Sequence, residues 1–297
     1  MPPRTAQTID DALLAGWPLP QPDAGGDKEV RGHVLVLGGS HEMPGSVILA
    51  ATAAMRAGAG KLTIATGASV AQTVALAMPE SRVIGLPETP DGGIIPGAAA
   101  RLDRIADRVD AVLVGPGMQD DAATAALVRE LLARLGSTPL VLDACAMDIV
   151  ARHEERFEVP VIVTPHAGEM AHLTGGDKRD ILADPDRFAI SAAERWNAVV
   201  ALKGARTVIA TPGDGKLWQH EGGNIGLATS GSGDTLAGIV AGLAARGATL
   251  AQAACWGVAL HARAGERLAA RFGVLGYLAR EIPAEVPALM EALARQD

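Results

Sequence analysis

The sequence predicts an α/β fold with a mostly parallel central sheet and helices on both faces. Its predicted strands are continuously apolar, as strands buried on both faces are. Helical patterns separate them in a repeated βα rhythm. Glycine or polar residues follow the strands directly, which is where open α/β sheets bind ligands. No internal repeat and no linker after residue 31 are visible, so one domain is expected over residues 32–297, with residues 1–31 as a peripheral extension.

In chain order, Trp17-Pro18-Leu19-Pro20-Gln21-Pro22 and Gly25-Gly26 punctuate that extension. A buried strand at 33–37 runs into Gly38-Gly39-Ser40, and an alanine-rich helix follows at 45–57. Further apolar runs predict strands at 61–65, 111–114, 140–143, 161–163, 199–202 and 207–210. The last part, 232–246 and 250–271, is read as helical.

Composition narrows the function. The chain has 297 residues, 48% of them hydrophobic, and a net charge of −8. Such a chain builds its own core and needs no disulfide framework; it has two cysteines, Cys145 and Cys255. The acidic balance supplies no broad positive field for duplex DNA or an anionic membrane. Only three Phe, one Tyr and four Trp are present, too few for base-stacking platforms. An anionic substrate must therefore be held by local devices such as helix N-termini. No signal peptide is visible, and the longest apolar stretch, 236–245, is too short to span a bilayer, so a cytoplasmic location is expected.

Several strand ends carry chemistry. Gly38-Gly39-Ser40 with Gly45, and Gly115-Pro116-Gly117, let backbone approach a ligand or simply make tight turns. Thr164-Pro165-His166-Ala167-Gly168-Glu169 reads as a capped helix start, with Thr164 as cap and Pro165 at the first helical position. His166 and Glu169 would share a face there, suited to substrate hydrogen bonding and water-mediated Mg²⁺ contact; Glu169 also fits a capping role. Helix propensity gives no reason for a histidine at 166, whereas His153, His172, His220 and His261 read as ordinary surface or packing residues. Lys203 ends an apolar strand, either as a phosphate ligand or as a hairpin lysine.

The strongest segment is Asn224-Ile225-Gly226-Leu227-Ala228-Thr229-Ser230-Gly231-Ser232-Gly233-Asp234, a Ser/Gly-rich loop entering an apolar helix. Its amides and the helix dipole can receive an anion. Asp234 either stabilises the helix start or activates a hydroxyl toward a phosphoryl group, and the helix's positive end is expected to keep it ionised. Gly238 and Gly242 imply close helix packing.

Taken together, Gly231-Ser232-Gly233-Asp234, Leu202-Lys203-Gly204 and Thr164-Pro165-His166-Ala167-Gly168-Glu169 resemble the ribokinase-like superfamily. More specifically they resemble its ADP-dependent NAD(P)H-hydrate dehydratases. Gly58-Ala59-Gly60, Pro79-Glu80, Asn224 and Gly226-Leu227-Ala228 add matches in order, over about residues 30 to 270. The resemblance implies a three-layer αβα sandwich. It implies phosphorylation of the C6 hydroxyl of the S epimer of NAD(P)H hydrate by ADP, or ATP in eukaryotic relatives, followed by loss of phosphate to restore NAD(P)H. It implies nucleotide contacts at Lys203, Gly204, Ala205, Arg206, Thr207, Ser230, Gly231, Ser232 and Gly233. Substrate contacts are implied at Ser46, Gly117, His166 and Asp234, with Asp234 as base, and Mg²⁺ would meet Glu169 through water. Three positions depart from the pattern: Ser46 replaces the usual Ala, Gln119 the usual Gly and Cys145 an Asp. Many relatives carry an epimerase domain ahead of this unit, so a separate epimerase is the expected functional partner and homotetramers the expected assembly. The alternatives are a hydroxyethylthiazole-type kinase of the same superfamily and a non-catalytic nucleotide-binding regulator. The histidine at 166 speaks against the first, since such kinases generally have Asn there, and Asp234 against the second.

Overall fold

The computed structural model describes residues 5–22, 25, 27–152 and 156–294. Ten strands form one sheet: β1 (Gln7–Thr8), β2 (His33–Leu37), β3 (Lys61–Gly67), β4 (Ser81–Leu86), β5 (Ala111–Val114), β6 (Leu140–Leu142), β7 (Val161–Val163), β8 (Val199–Leu202), β9 (Arg206–Ala210) and β10 (Leu217–Glu221). Their order is β1-β10-β9-β8-β7-β6-β5-β2-β3-β4. Only β9 runs against its neighbours, β8 and β10. The carboxyl ends of β2, β5, β6, β7 and β8 therefore line one edge of the sheet.

Both faces of these strands are buried, which explains why their residues read as unbroken apolar runs. Val34, Val36, Leu113 and Ile162 face the helices Pro44–Arg56, Ser232–Ala245, Leu250–Phe272 and Ile282–Ala294. Leu35, Leu37, Val112 and Val163 face the opposite core with Asp121–Leu132, Ala167–Thr174 and Pro185–Trp196. Among the described residues the predicted sandwich of three layers is present. The helix Ser232–Ala245 lies directly on Pro44–Arg56, as the glycine spacing predicted. A β-carbon at Gly238 would stand 2.1 Å from the Ala50 carbonyl oxygen, and one at Gly242 2.4 Å from that of Ala54.

The described part of the N-terminal extension is not peripheral. Ile9, Leu14 and Leu19 are buried in the first core. β1 pairs with β10, and Ile9 N–H donates to the Gln219 carbonyl at 2.8 Å. Trp17 stacks on Trp218 with ring centroids 5.9 Å apart, and its carbonyl accepts from Gln252 and from the Trp256 indole. The prolines that read as punctuation lie outside any turn; the Pro18 carbonyl accepts from Gln252 and the Pro20 carbonyl from Arg246. Three strands, β1, β4 and β10, were not anticipated. β1 is two residues long, and β4 and β10 carry polar residues within the run.

Candidate active site

The site is built from strand ends on one side and a helix start on the other. The helix Ser232–Ala245 begins at Gly231, whose φ of +86° is left-handed, and no side chain caps it. The first-turn amides of an α-helix have no intrahelical acceptor, so this uncapped start presents N–H donors. Ser232 is buried, with its hydroxyl 3.0 Å from Nε2 of His261. The same ring nitrogen lies 3.1 Å from the Ser232 carbonyl oxygen. Burial pushes the His261 ring down to about 4, so the neutral imidazole braces the loop from beneath. The expectation that His261 is an ordinary packing residue is corrected by this contact.

Asp234 stands in the first turn of that helix. The Ser46 side chain, on the helix Pro44–Arg56, faces its carboxylate and favours the ionised form. Gly117 packs against the same serine: its φ is +67°, and a β-carbon there would lie 2.7 Å from that of Ser46. Larger residues at 117 would displace Ser46 from this position. Burial, then the charge of Asp143, push the Asp234 carboxyl up to about 6, against Ser46 and Lys203. The sequence leads one to expect the helix's positive end to keep it ionised; burial and Asp143 work against that, and a partly desolvated carboxylate beside another acid is a stronger base than a free one.

Lys203 follows β8, and its N–H donates to the Pro165 carbonyl at 2.8 Å. Its ammonium lies 3.0 Å from Asp143 Oδ1 and 3.8 Å from Glu169 Oε2. It also lies 3.6 Å from where a Gly233 β-carbon would be, beside the amide loop. Burial alone would lower its pKa; Asp143 and Glu169 outweigh this and hold it above the ordinary lysine value. Asp143 and its partner Thr164, whose hydroxyl donates to it at 2.6 Å, were missed from sequence. The available signal was an acid immediately after an apolar strand.

Thr164 is not the cap of the next helix, and Pro165 is not its first residue. His166 is the cap: its Nδ1 accepts from the N–H groups of Gly168 and Glu169, both at 3.0 Å. Glu169 Oε2 in turn accepts from the His166 N–H at 2.7 Å, closing a capping box. A ring nitrogen that accepts twice carries no proton, so the neutral ring's hydrogen is on Nε2. That nitrogen lies 3.6 Å from Glu169 Oε2, beyond hydrogen-bonding distance. His166 therefore offers a substrate a donor and is poorly placed to act as a base.

The turn Gly204-Ala205 is exposed, and Thr207 Oγ1 donates to the Gly204 carbonyl at 3.3 Å. The Arg206 guanidinium is turned onto Asp186 at 2.6 Å and Gln219 at 2.7 Å. Ser46, Gly117, Lys203, Gly233 and Asp234 thus converge, with His166 and Glu169 adjoining, whereas Arg206 faces away as a side chain. His220 is buried, with Nδ1 on the Ile9 carbonyl, and His172 is 3.3 Å from Asp148. His153 lies outside the described residues. Cys145 donates to Asp121, and burial pushes its thiol up to about 12, which leaves it unreactive. Gln119 reaches Glu42 at 2.7 Å.

A family model for NAD(P)H-hydrate dehydratase matches residues 34–288. The chain belongs to the NAD(P)H-hydrate dehydratase family. One relative in this family, the ADP-dependent (S)-NAD(P)H-hydrate dehydratase of Xanthomonas campestris, is 51% identical over 97% of this chain and 98% of its own length. Two solved structures share the fold with TM-scores of 0.82. One is the ADP/ATP-dependent NAD(P)H-hydrate dehydratase of Bacillus subtilis, co-crystallised with ATP and Mg²⁺, at 29% identity over 98% of this chain and 100% of that one. The other is a ribokinase-like superfamily protein from Enterococcus faecalis, at 27% identity over 98% and 97%. The dehydratase family thus places the sandwich in the ribokinase-like class.

Proposed function

We propose that the chain dehydrates the S epimer of NAD(P)H hydrate at the expense of ADP. One observation carries the reading: Asp234 sits in the first turn of an uncapped helix, facing Ser46, with the Lys203 ammonium beside the adjacent Gly233. The hydrate's C6 hydroxyl lies against Asp234, Ser46 and the backbone of Gly117, with His166 Nε2–H donating to a substrate oxygen. Asp234 takes the hydroxyl proton as that oxygen attacks the terminal phosphoryl group of ADP, and AMP leaves. The amides of Ser230, Gly231 and Gly233 and the Lys203 ammonium stabilise the transferred charge, while the Ser232 N–H donates to the Thr229 carbonyl at 3.2 Å and shapes the loop. The C6–O bond to phosphate then breaks, the departing phosphate takes the C5 proton, and the ring double bond returns. Gly204, Ala205 and Thr207 meet the rest of the nucleotide, and Arg206 does so through its backbone.

The donor set fits Mg²⁺ borne by phosphate and water. Asp143, Glu169 and Asp234 face one ammonium, so an anionic nucleotide enters an already negative pocket. Among the described residues no group of three or more His, Cys, Asp or Glu closes into a metal cage. Glu169, the more exposed acid beside Lys203, is the one to reach such an ion through water. When bound, Mg²⁺ would neutralise phosphate charge.

An epimerase acting on the R hydrate is the functional partner in this reading. The work is placed in the cytoplasm, and no described helix is long and apolar enough to cross a membrane. A tetramer is the proposed assembly; exposed Ile225, Phe272, Val274, Leu275 and Leu278 supply apolar surface for it. The test of function is absorbance. With ADP and Mg²⁺, the chain should restore the reduced nicotinamide chromophore from its hydrate and release phosphate. Accumulation of a stable phosphorylated product would show a kinase instead.

A further inference from the structure

Asp143 is the only buried carboxylate among the described residues. Three neighbouring strand ends are joined through it. Its N–H continues the ladder by donating to Val114 at 3.1 Å, Thr164 N–H likewise donates to Leu142 at 3.3 Å, and Lys203 N–H to Pro165 at 2.8 Å. These backbone bonds fix where each side chain starts. From there Thr164 donates to Asp143 Oδ1 at 2.6 Å, and the Lys203 ammonium donates to the same oxygen at 3.0 Å. The other carboxylate oxygen lies 3.9 Å from where a Gly233 β-carbon would be. A rigid acid thus stands behind the lysine, on the side of the phosphate loop.

We propose that Asp143 is a positioning residue that holds the Lys203 ammonium beside Gly233 and keeps it from pairing with Asp234, so that Asp234 remains free to take the hydroxyl proton. The inference rests on the reading of Asp234 as base. A buried ammonium settles on the strongest anion within reach. With Asp143 neutral, Lys203 would turn to Glu169 and Asp234. A carboxylate paired with a lysine loses base strength, and the phosphoryl group loses its cation. The groups acting on Asp234 are Asp143 from the end of β6, Lys203 from the end of β8 and Ser46 from the facing helix. Of these, Asp143 opposes Lys203 directly.

Two variants of the full chain test this, with kcat followed against pH, ADP affinity measured by calorimetry without hydrate, and melting temperature. Asp143→Asn keeps the shape and an acceptor for Thr164 but removes the charge. The expected result is a fall in kcat of about tenfold or more and an acid limb moved down by about one pH unit, with weaker ADP binding. Thr164→Val keeps the charge but frees its orientation. There kcat falls while the acid limb stays in place, and this variant also serves if Asp143→Asn does not fold. An unmoved limb in Asp143→Asn, or loss of activity in proportion to folded fraction, would make Asp143 merely structural and overturn the proposal, as would parental kcat in Thr164→Val. Parental turnover by Asp234→Asn would instead remove the base reading, while ADP affinity still reports the placement of Lys203.

Discussion

Lys203 remains charged in a partly buried setting because two carboxylates outweigh its desolvation. That balance changes what a truncation does. A simple phosphate ligand could be removed with little effect on the fold, but Lys203→Ala leaves Asp143 buried and unpaired. Removing one partner of a buried pair costs about 3–5 kcal/mol, so urea denaturation should show a large loss of stability alongside weaker ADP binding. Asp234 behaves in the opposite sense. Its folded pKa, about 6, lies above the ordinary aspartate value of 3.8, so the folded state binds more protons between these values. Ionisation therefore opposes folding, and this penalty is complete above about pH 6 and absent below 3.8. Asp234→Asn should melt higher than the parent near pH 7, with the gain shrinking as pH falls through that window in thermal scans. The Ser/Gly loop and Asp234 were legible as candidates because an amide-rich loop and a first-turn acid suit the proposed chemistry by residue type and order. Asp143 and Thr164 were not, since an acid or a threonine after a strand looks the same whether it caps a turn or faces inward.

At the scale of elements, the helix Ala167–Thr174 combines structure and function in one residue. His166 caps it through Nδ1 and exposes Nε2–H. His166→Asn supplies a capping oxygen but no comparable donor, whereas His166→Ala supplies neither. Thermal melts should show the Ala variant destabilised by about 1 kcal/mol and the Asn variant near the parent. Both should raise KM for hydrate, because neither places a donor where Nε2–H stands: the Asn amide is shorter and Ala has none. The apolar strands from β2 to β9 were readable from burial on both faces, with β4 the exception. Its run, Ser81-Arg82-Val83-Ile84-Gly85-Leu86, mixes polar residues and glycine because it closes the sheet edge and pairs only with β3. The cap at His166 escaped the reading because Thr164-Pro165 offered a conventional start two residues earlier.

Across the whole molecule, the N-terminal segment completes the sheet and the first core rather than lying over them. Leu14 is fully buried there, in the core that also takes in the helix Ser232–Ala245. Leu14→Ala should cost about 2–5 kcal/mol, measured by urea denaturation, while a peripheral segment would tolerate it. The segment's role was hidden because its apolar residues are spaced among prolines and glycines and gain meaning only against β10 and Leu250–Phe272. The two halves of the site likewise come from distant parts of the chain. Strand ends supply Asp143 and Lys203, and the close crossing of Ser232–Ala245 on Pro44–Arg56 brings Ser46 to Asp234.

The measurement that bears most directly on this account is ADP-driven turnover of hydrate by Asp234→Asn, made beside its ADP affinity and melting temperature. The account predicts a folded protein that binds ADP and dehydrates hydrate about 10²- to 10⁴-fold more slowly than the parent. Turnover within a few-fold of the parent would contradict Asp234 as the base and, with it, the proposed mechanism.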